Sequence, residues 1–393
     1  MTETRVLVLD GRTLSSLSVT RSLGEGGYSI HLGESFRWNL TRFSKHVDGT
    51  ISYPSPDEKP AGFVDALLRK LRRTDYDVVI PTRDATTRLL ATHRDRFDPL
   101  TSLYLADAKK IERFADKGET IRLAQNAGTP VPRTYFPEDT PLETIAEEVS
   151  YPALVRARRA SGSRGIVRVE SADEMQRAYT EVERDYGVPI IQEYVSHEGG
   201  HFSIGTLFDE NSEPVAVHVY EETKQYPVSG GPAVEAKSVP VEPWVDGMLG
   251  ILREVNWVGP AHMDVLYDPD DATYKLLEVN PRFWMSVGLT IRSGVDIPGL
   301  LVRLAMDEEI PDRVIDYDTD LLYRWILPSG LFWASQQERL ICGIHQLTSQ
   351  LENQICYGVF SSKDLGPTVG VLFQSATFIL EEEKRRQVFN RGL

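Results

Sequence analysis

The segment 276–283, which reads LLEVNPRF, carries the polar residues that decide the expected fold. Side chains alternate along a strand, so Glu278 and Asn280 lie on one face of it. Asp264 precedes them on a second predicted strand, and the intervening stretch 267–271 (YDPDD) is typical of a hairpin turn. Two carboxylates and an amide on adjacent strands are oxygen ligands that suit Mg²⁺ or Mn²⁺ together with substrate phosphates. A solvated acidic hairpin is the alternative, which the apolar neighbours of Glu278 disfavour.

Three further features of the sequence could serve the same site. Arg282 follows it and can present a fork of donors to an anion at the metal. The glycine-serine stretch 161–165 (SGSRG) lies between two predicted strands, where backbone N–H groups can approach phosphate oxygens. The stretch 192–195 (QEYV) ends a buried strand whose edge can hydrogen-bond adenine. Taken singly, the last two stretches also fit an ordinary hairpin loop and a core strand.

The N-terminal part predicts an open parallel sheet. The runs RVLVL (5–9), YSIHL (28–32) and DVVIP (77–81) read as strands separated by helices. No GxGxxG motif follows the first strand, which excludes a dinucleotide-binding dehydrogenase. Arg83 and Asp84 follow the third strand and lie at the sheet rim where ligands bind, although Asp84 capping a helix explains them equally well. The next segment, 108–127, is predicted as one long helix that ends at Gly128.

Composition limits the partners. The 393 residues contain 43 Lys and Arg against 58 Asp and Glu, a formal charge of −15, which disfavours nucleic acid and anionic membranes as partners. No stretch reaches the roughly 18 apolar residues of a membrane span, and the N-terminus lacks a secretory pattern. The two cysteines fit reduced thiols. We expect a cytoplasmic protein.

Taken in order, these motifs resemble the ATP-grasp superfamily and its carboxylate–amine ligase branch, in the manner of biotin carboxylase, D-alanine–D-alanine ligase and carbamoyl-phosphate synthetase. The resemblance runs from about residue 1 to 310 and includes Lys117 and the stretch 152–156 (PALVR). It implies a mixed α/β and α+β architecture. The expected parts are a Rossmann-like domain at 1–107, a lid subdomain at 108–190, a metal-bearing subdomain at 191–312 and a mixed C-terminal extension at 313–393.

The resemblance also implies site roles. Lys117 and Arg156 would contact the ATP phosphates, with Arg156 standing where the family usually has lysine. His201 would bind ribose, with a surface-loop histidine as the alternative. Arg282 would steady the γ-phosphate or an acyl phosphate, so that Arg282 and Lys117 are the expected catalytic residues. The expected adenine hinge is Gln192, Glu193, Tyr194 and Val195; the phosphate loop is Ser161, Gly162, Ser163 and Gly165; the Mg²⁺ ligands are Asp264, Glu278 and Asn280.

The activity that this family likeness implies is ligation of a carboxylate to an amine. ATP would convert the carboxylate into an acyl phosphate, which the amine attacks with release of phosphate. Two alternatives stay open: activation of bicarbonate on the same fold, and a non-catalytic ATP-binding protein.

The expected substrates are small and amino-acid-like. Arg83 and Asp84 offer both charges. The resemblance locates the acceptor pocket at the loop 224–234, where Ser229, Gly230 and Gly231 would close over the substrate, and Lys224 either contacts it or is a solvated surface lysine. Apolar residues of the extension, including Trp325 and Trp333, predict packing over the grasp, with a homodimer surface as the alternative.

Overall fold

The protein is described by a computed structural model over residues 4–160, 164–225, 233–326, 330–335 and 355–380. Within these ranges the chain forms three β-sheets with helices packed against them. Their arrangement confirms the expected mixed architecture, with one parallel sheet followed by two largely antiparallel ones.

The N-terminal sheet is parallel, with strand order β3-β2-β1-β4. Thr13 caps the first helix by accepting a hydrogen bond from the backbone of Ser16, which satisfies an otherwise unpaired N–H group. Strand β3 was not predicted from the sequence, whereas β1, β2 and β4 were. The elements are β1 (Arg5–Val8), α1 (Leu14–Glu25), β2 (Ser29–Glu34), β3 (Gly49–Ser52), α2 (Pro60–Leu71), β4 (Val78–Ile80), α3 (Asp84–Thr92) and α4 (Arg94–Phe97).

The predicted long helix at 108–127 is wrong, because it is two helices, α5 (Ala108–Phe114) and α6 (Lys117–Asn126). Asp116 begins α6 by accepting a hydrogen bond from the backbone of Glu119. Its carboxylate is also held by Arg158 at 2.7 Å. Lys117 is therefore the first residue of a helix rather than a residue in the middle of one. The helix ends before Gly128, as expected.

The second sheet is small and antiparallel, with strand order β5-β8-β6-β7. Strand β8, the last of the four along the chain, crosses the expected boundary between residues 190 and 191, so this sheet includes residues beyond the predicted lid subdomain. The elements are β5 (Thr134–Tyr135), α7 (Leu142–Glu148), β6 (Ala153–Arg156), β7 (Ile166–Val169), α8 (Ala172–Tyr186) and β8 (Ile190–Glu193).

The third sheet has seven strands in the order β13-β12-β9-β10-β11-β14-β15. Two of its strands come from the C-terminal extension, and β11 was not predicted. The elements are β9 (His201–Phe208), β10 (Pro214–Gln225), β11 (Ala233–Val239), α9 (Trp244–Glu254), β12 (Gly259–Asp268), β13 (Thr273–Asn280), α10 (Val287–Arg292), α11 (Ile297–Ala305), β14 (Leu322–Arg324), α12 (Leu331–Ser335), β15 (Ile355–Tyr357) and α13 (Gly366–Leu380).

The described part of the extension packs against the rest of the chain. Trp325 and Trp333 are buried. Arg21 of α1 pairs with Asp364 at 2.9 Å. Phe373 of α13 stacks on Phe43 at a ring separation of 5.8 Å. The tail was expected to pack over the grasp, and these two contacts instead join its described part to the N-terminal part of the chain. A homodimer surface stays a prediction. Across the described ranges, none of the helices combines the length and apolar character needed to cross a bilayer.

Candidate functional site

The predicted metal residues lie on the hairpin of β12 and β13. Asp264 stands directly opposite Glu278, and a register shift follows Asp264. The Nδ2 atom of Asn280 lies 3.1 Å from Asp264 Oδ2 and 3.3 Å from Glu278 Oε1. Alternation along β13 places Glu278 and Asn280 on one face, so the three side chains lie together, and their role as metal ligands stays a prediction.

Two cations from outside this hairpin, Lys117 and Arg156, reach Glu278, and the region that these three side chains border is called the cleft. Lys117 Nζ lies 3.0 Å from Glu278 Oε2, and Arg156 Nη2 lies 3.9 Å from the same oxygen. Lys117 comes from the start of α6 and Arg156 from the end of β6, so the contact spans the small and the large sheets. Lys117 Nζ also donates to the carbonyl of Ala160 at 2.6 Å.

Arg156 is buried and held from behind. Its Nη1 donates to Gln192 Oε1 at 2.6 Å, and Gln192 Nε2 donates to Thr134 Oγ1 at 2.9 Å. Burial lowers the pKa of Arg156, an effect opposed by Glu278 and Asp264. Its Nε is buried and makes no hydrogen bond to any described residue. A buried guanidinium N–H without an acceptor suits an anionic ligand.

Arg282 connects this cleft to the N-terminal sheet. Its Nε donates to Asp84 Oδ1 at 2.7 Å, and its Nη2 donates to Asn280 Oδ1 at 3.2 Å. Asp84 is the first residue of α3, beyond the carboxyl end of β4. Arg83 instead pairs with Asp57 at 2.8 Å. Of the two predicted rim residues, Asp84 therefore contacts the predicted catalytic arginine, whereas the side chain of Arg83 is engaged by Asp57.

The predicted adenine hinge comprises the last two residues of β8 and the two residues that follow it. Glu193 Oε1 accepts hydrogen bonds from the backbone of Arg133 at 2.8 Å and from Lys275 Nζ at 3.0 Å. Tyr194 lies under the guanidinium of Arg168, and Val195 is buried. Since the side chain of Glu193 is engaged internally, it positions the strand end, and adenine contact by the backbone remains a prediction.

His201 faces carboxylates. Its Nε2 lies 3.7 Å from Asp264 Oδ1 and its Nδ1 lies 3.6 Å from Glu222 Oε2. Burial lowers the pKa of His201, but Glu222 and Asp264 outweigh it and raise this pKa to about 9. Burial alone would raise the pKa of Asp264, whereas the rings of His262 and His201 hold it well below its usual value. Ribose binding by His201 stays a prediction.

Glu222 is a site residue that the sequence interpretation missed. It lies on β10, and the register that pairs Tyr220 with Ser203 brings it beside His201 and Asp264. The local sequence, Glu221-Glu222-Thr223, resembles any solvated strand end. Only the pairing of β9 with β10 distinguishes it, and that pairing is not visible in a local pattern.

The two predicted loops are described only at their ends. Gly165 has a φ of +64°, which suits glycine, and its carbonyl accepts from the backbone of Ala157 at 2.7 Å. Lys224 pairs with Glu235 and lies 5.8 Å from the centre of the Trp333 ring, so its substrate role stays a prediction. The remaining loop residues, which lie outside the described ranges, are Ser161, Gly162, Ser163, Ser229, Gly230 and Gly231.

The donor set fits Mg²⁺ bound with phosphates. Asn280 donates from Nδ2 to Asp264 and Glu278, while its Oδ1 accepts from Arg282. A cation at this point would therefore find the hard carboxylate oxygens of Asp264 and Glu278, and Asn280 would offer its oxygen only after its amide turns over. Lys117 and Arg156 lie next to the same carboxylates, which is where phosphate oxygens of a metal-bound nucleotide need cations.

Sequence comparison locates a known domain over this cleft. Residues 114–286 match the family model of the ATP-grasp domain. Acetyl-CoA carboxylase 1 of Arabidopsis thaliana is 26% identical over 221 residues, which cover 53% of this chain and 10% of that protein. The chain thus spans about a tenth of the curated relatives that it matches.

Two solved structures illustrate the shared fold. The biotin carboxylase domain of Hydrogenobacter thermophilus 2-oxoglutarate carboxylase, a dimer solved with MgADP and bicarbonate, has a TM-score of 0.66 and 18% identity; the match covers 81% of this chain and 73% of that one. The L-amino acid ligase of Bacillus licheniformis has a TM-score of 0.58 and 17% identity, with coverages of 77% and 74%. At these identities the likeness shows the fold.

Proposed function

Residues 114–286 form an ATP-grasp domain, and on this premise we propose that the protein is an ADP-forming ligase that activates a carboxylate and couples it to an amine. ATP and Mg²⁺ are the cofactors that go with this domain. One observation carries the proposal: the Glu278 carboxylate, part of an oxygen-ligand triad, is contacted by Lys117 and Arg156 from the opposite side of the cleft.

The chain's own residues divide the work of phosphoryl transfer. Asp264, Glu278 and Asn280 would hold Mg²⁺, which when bound neutralises charge on the phosphates. Lys117 and Arg156 bind phosphate oxygens from the small-sheet side and exchange their contacts with Glu278 for contacts with the nucleotide. Both are held by other groups, Lys117 by a carbonyl and Arg156 by Gln192, so little reorganisation is needed.

The carboxylate substrate belongs between this cleft and the N-terminal sheet. A carboxylate cannot expel oxide, so transfer of the γ-phosphoryl group first makes an acyl phosphate, and the amine then displaces phosphate from it. Arg282 is placed to stabilise the charge on that acyl group, because Asp84 and Asn280 fix its guanidinium. Arg83 and Asp84 at the same rim favour an amino-acid-like substrate that carries both charges.

A second candidate is activation of bicarbonate by the same groups. It is supported by the sequence similarity to acetyl-CoA carboxylase, whereas the amino acid ligase has a similar fold at lower identity. Both reactions release ADP and phosphate and differ in the acid that is activated, which is an amino-acid-like carboxylate in the first and bicarbonate in the second.

The test is ADP and phosphate release from Mg-ATP with pooled amino acids and small carboxylates, run with and without bicarbonate. We expect release that depends on an amino-acid pool, and single compounds from that pool then identify the substrates. Release that depends on bicarbonate alone would support the second candidate. Bound ATP without release under any of these conditions would contradict both.

A further inference from the structure

The predicted magnesium ligands are not the whole of the acidic cluster. His201, Glu222 and Asp264 each offer a ligand atom, and these three atoms lie within 4.8 Å of one another. Ser203 Oγ lies among them, 3.1 Å from Glu222 Oε1 and 3.4 Å from Asp264 Oδ1. This set contains an imidazole nitrogen, which separates it from the all-oxygen set of Asp264, Glu278 and Asn280.

The two oxygens of Asp264 face different neighbours. Oδ2 faces Asn280 at 3.1 Å, on the side of the predicted magnesium ligands. Oδ1 faces His201 Nε2 at 3.7 Å and Ser203. One carboxylate can bridge two cations through its two oxygens, so Asp264 can serve both sets at once.

Two histidine nitrogens at this point lack hydrogen bonds. Within the described ranges, His201 Nε2 and His262 Nδ1 are both buried and make none. The side chain of His262 is 8% exposed, and its Nδ1 lies 3.9 Å from Asp264 Oδ2. A buried nitrogen without a partner costs folding free energy, which a bound ligand would offset. His201 Nε2 faces Asp264 Oδ1, and near neutral pH it carries a proton because the pKa of His201 is raised to about 9. A cation would bind this nitrogen by displacing that proton.

We propose that His201 Nε2, Glu222 and Asp264 Oδ1 form a second cation site, beside the magnesium ligands, for a divalent transition metal. Mixed nitrogen and carboxylate donors favour Mn²⁺ or Zn²⁺ over Mg²⁺, which prefers oxygen alone. The site needs no nucleotide, because all three ligands come from strands β9, β10 and β12 of the large sheet.

The other nitrogen of His201 is held from behind, as is usual for metal-binding histidines. Nδ1 contacts the Gln225 amide, whose Nε2 also donates to Glu222 Oε2 at 2.8 Å. Rotation of the Gln225 amide by half a turn presents its oxygen to the Nδ1–H of His201. The lone pair of His201 Nε2 is then left for the cation. A cation bound to Glu222 would neutralise the carboxylate charge that otherwise favours the Gln225 amide nitrogen, rather than its oxygen, next to Glu222.

The test is titration of the nucleotide-free, full-length protein with MnCl₂ by calorimetry, followed by electron spin echo envelope modulation of bound Mn²⁺. We expect one nitrogen coupling in the wild type, its loss in His201→Gln, and at least about tenfold weaker Mn²⁺ binding at that site. His197→Gln is the matched control, because its ring lies close to His201, at a centroid separation of 5.9 Å. It should keep the coupling.

Glu278→Gln separates the two sites and should also keep the nitrogen coupling, because Glu278 belongs only to the oxygen set. Bound Mn²⁺ with oxygen ligands alone, a nitrogen coupling that survives His201→Gln, or no Mn²⁺ binding to a folded wild type would each overturn the proposal. Circular dichroism verifies that the variants fold. These outcomes are independent of ADP release, so failure of this site and failure of the proposed ligase are distinguishable.

Discussion

The Glu278→Gln substitution tests the roles of Glu278 as a metal ligand and as the partner of Lys117 and Arg156. Glu278 is 28% exposed and contacts Lys117 at 3.0 Å and Arg156 at 3.9 Å. Glutamine keeps the shape but removes the charge that holds both cations and helps to bind the metal. The substitution should therefore act in opposite directions with and without Mg²⁺.

In EDTA, nucleotide binding should become stronger. The two cations no longer have to leave a carboxylate to meet the phosphates, and a negative charge beside the phosphates is removed. A partly exposed ion pair of this kind contributes about 1 to 2 kcal/mol, which corresponds to about five- to thirtyfold in affinity. With Mg²⁺ present, turnover should fall at least about a thousandfold, because a metal ligand is lost.

The assay is titration of a fluorescent ATP analogue in EDTA and in Mg²⁺, together with ADP release. Asp270→Asn, in the turn between β12 and β13, is the matched control and should leave both quantities unchanged. Weaker binding of the analogue to Glu278→Gln in EDTA would refute the inferred competition between the Glu278 carboxylate and the ATP phosphates for Lys117 and Arg156. An active Glu278→Gln enzyme would refute the metal assignment.

Three further predictions concern other parts of the molecule. Burial raises the pKa of Asp10 from 3.8 to about 6, so the contribution of Asp10 to stability is present below pH 4 and lost as the pH rises through 6. In chemical denaturation, the unfolding free energy of the wild type should gain up to about 3 kcal/mol relative to Asp10→Asn when the pH is lowered from 7.5 to 4. Parallel pH profiles of the two proteins would contradict this. Asp84→Ala frees the Arg282 guanidinium from its 2.7 Å contact, so kcat should fall about tenfold with little change in the KM for ATP. An effect on KM alone would argue against a positioning role. A Cβ at Gly205 collides with the buried indole of Trp284, so Gly205→Ala should lose at least about 2 kcal/mol of unfolding free energy, and an unchanged melting temperature would count against this packing.

The local parts of the site could be predicted from sequence. Glu278 and Asn280 share a face because strand side chains alternate, and Asp264 could be placed beside them because the turn between the strands is recognisable. Lys117 was identified, but its helix was drawn too long. The signal for the break was present, since Asp116 followed by Glu119 three residues later is a typical helix start.

The parts that depend on tertiary packing could not be predicted. Glu222 joins the cluster through the register of β9 with β10, and Asp84 meets Arg282 across 198 positions of sequence. Neither contact leaves a periodic or local trace. The same holds for β11, whose residues read as a continuation of a substrate loop and instead connect the core of the large sheet to the C-terminal extension.

The central claim is that the carboxylate of an amino-acid-like substrate is activated by phosphoryl transfer, and its most direct test follows an oxygen atom. Amino acids labelled with ¹⁸O in their carboxylates are incubated with the protein, unlabelled Mg-ATP and an amine pool, and the released phosphate is examined by ³¹P NMR. We predict phosphate that carries one ¹⁸O per turnover, because the acyl phosphate breaks with the carboxylate oxygen leaving on phosphorus. ADP release with unlabelled phosphate would contradict activation of the carboxylate through an acyl phosphate.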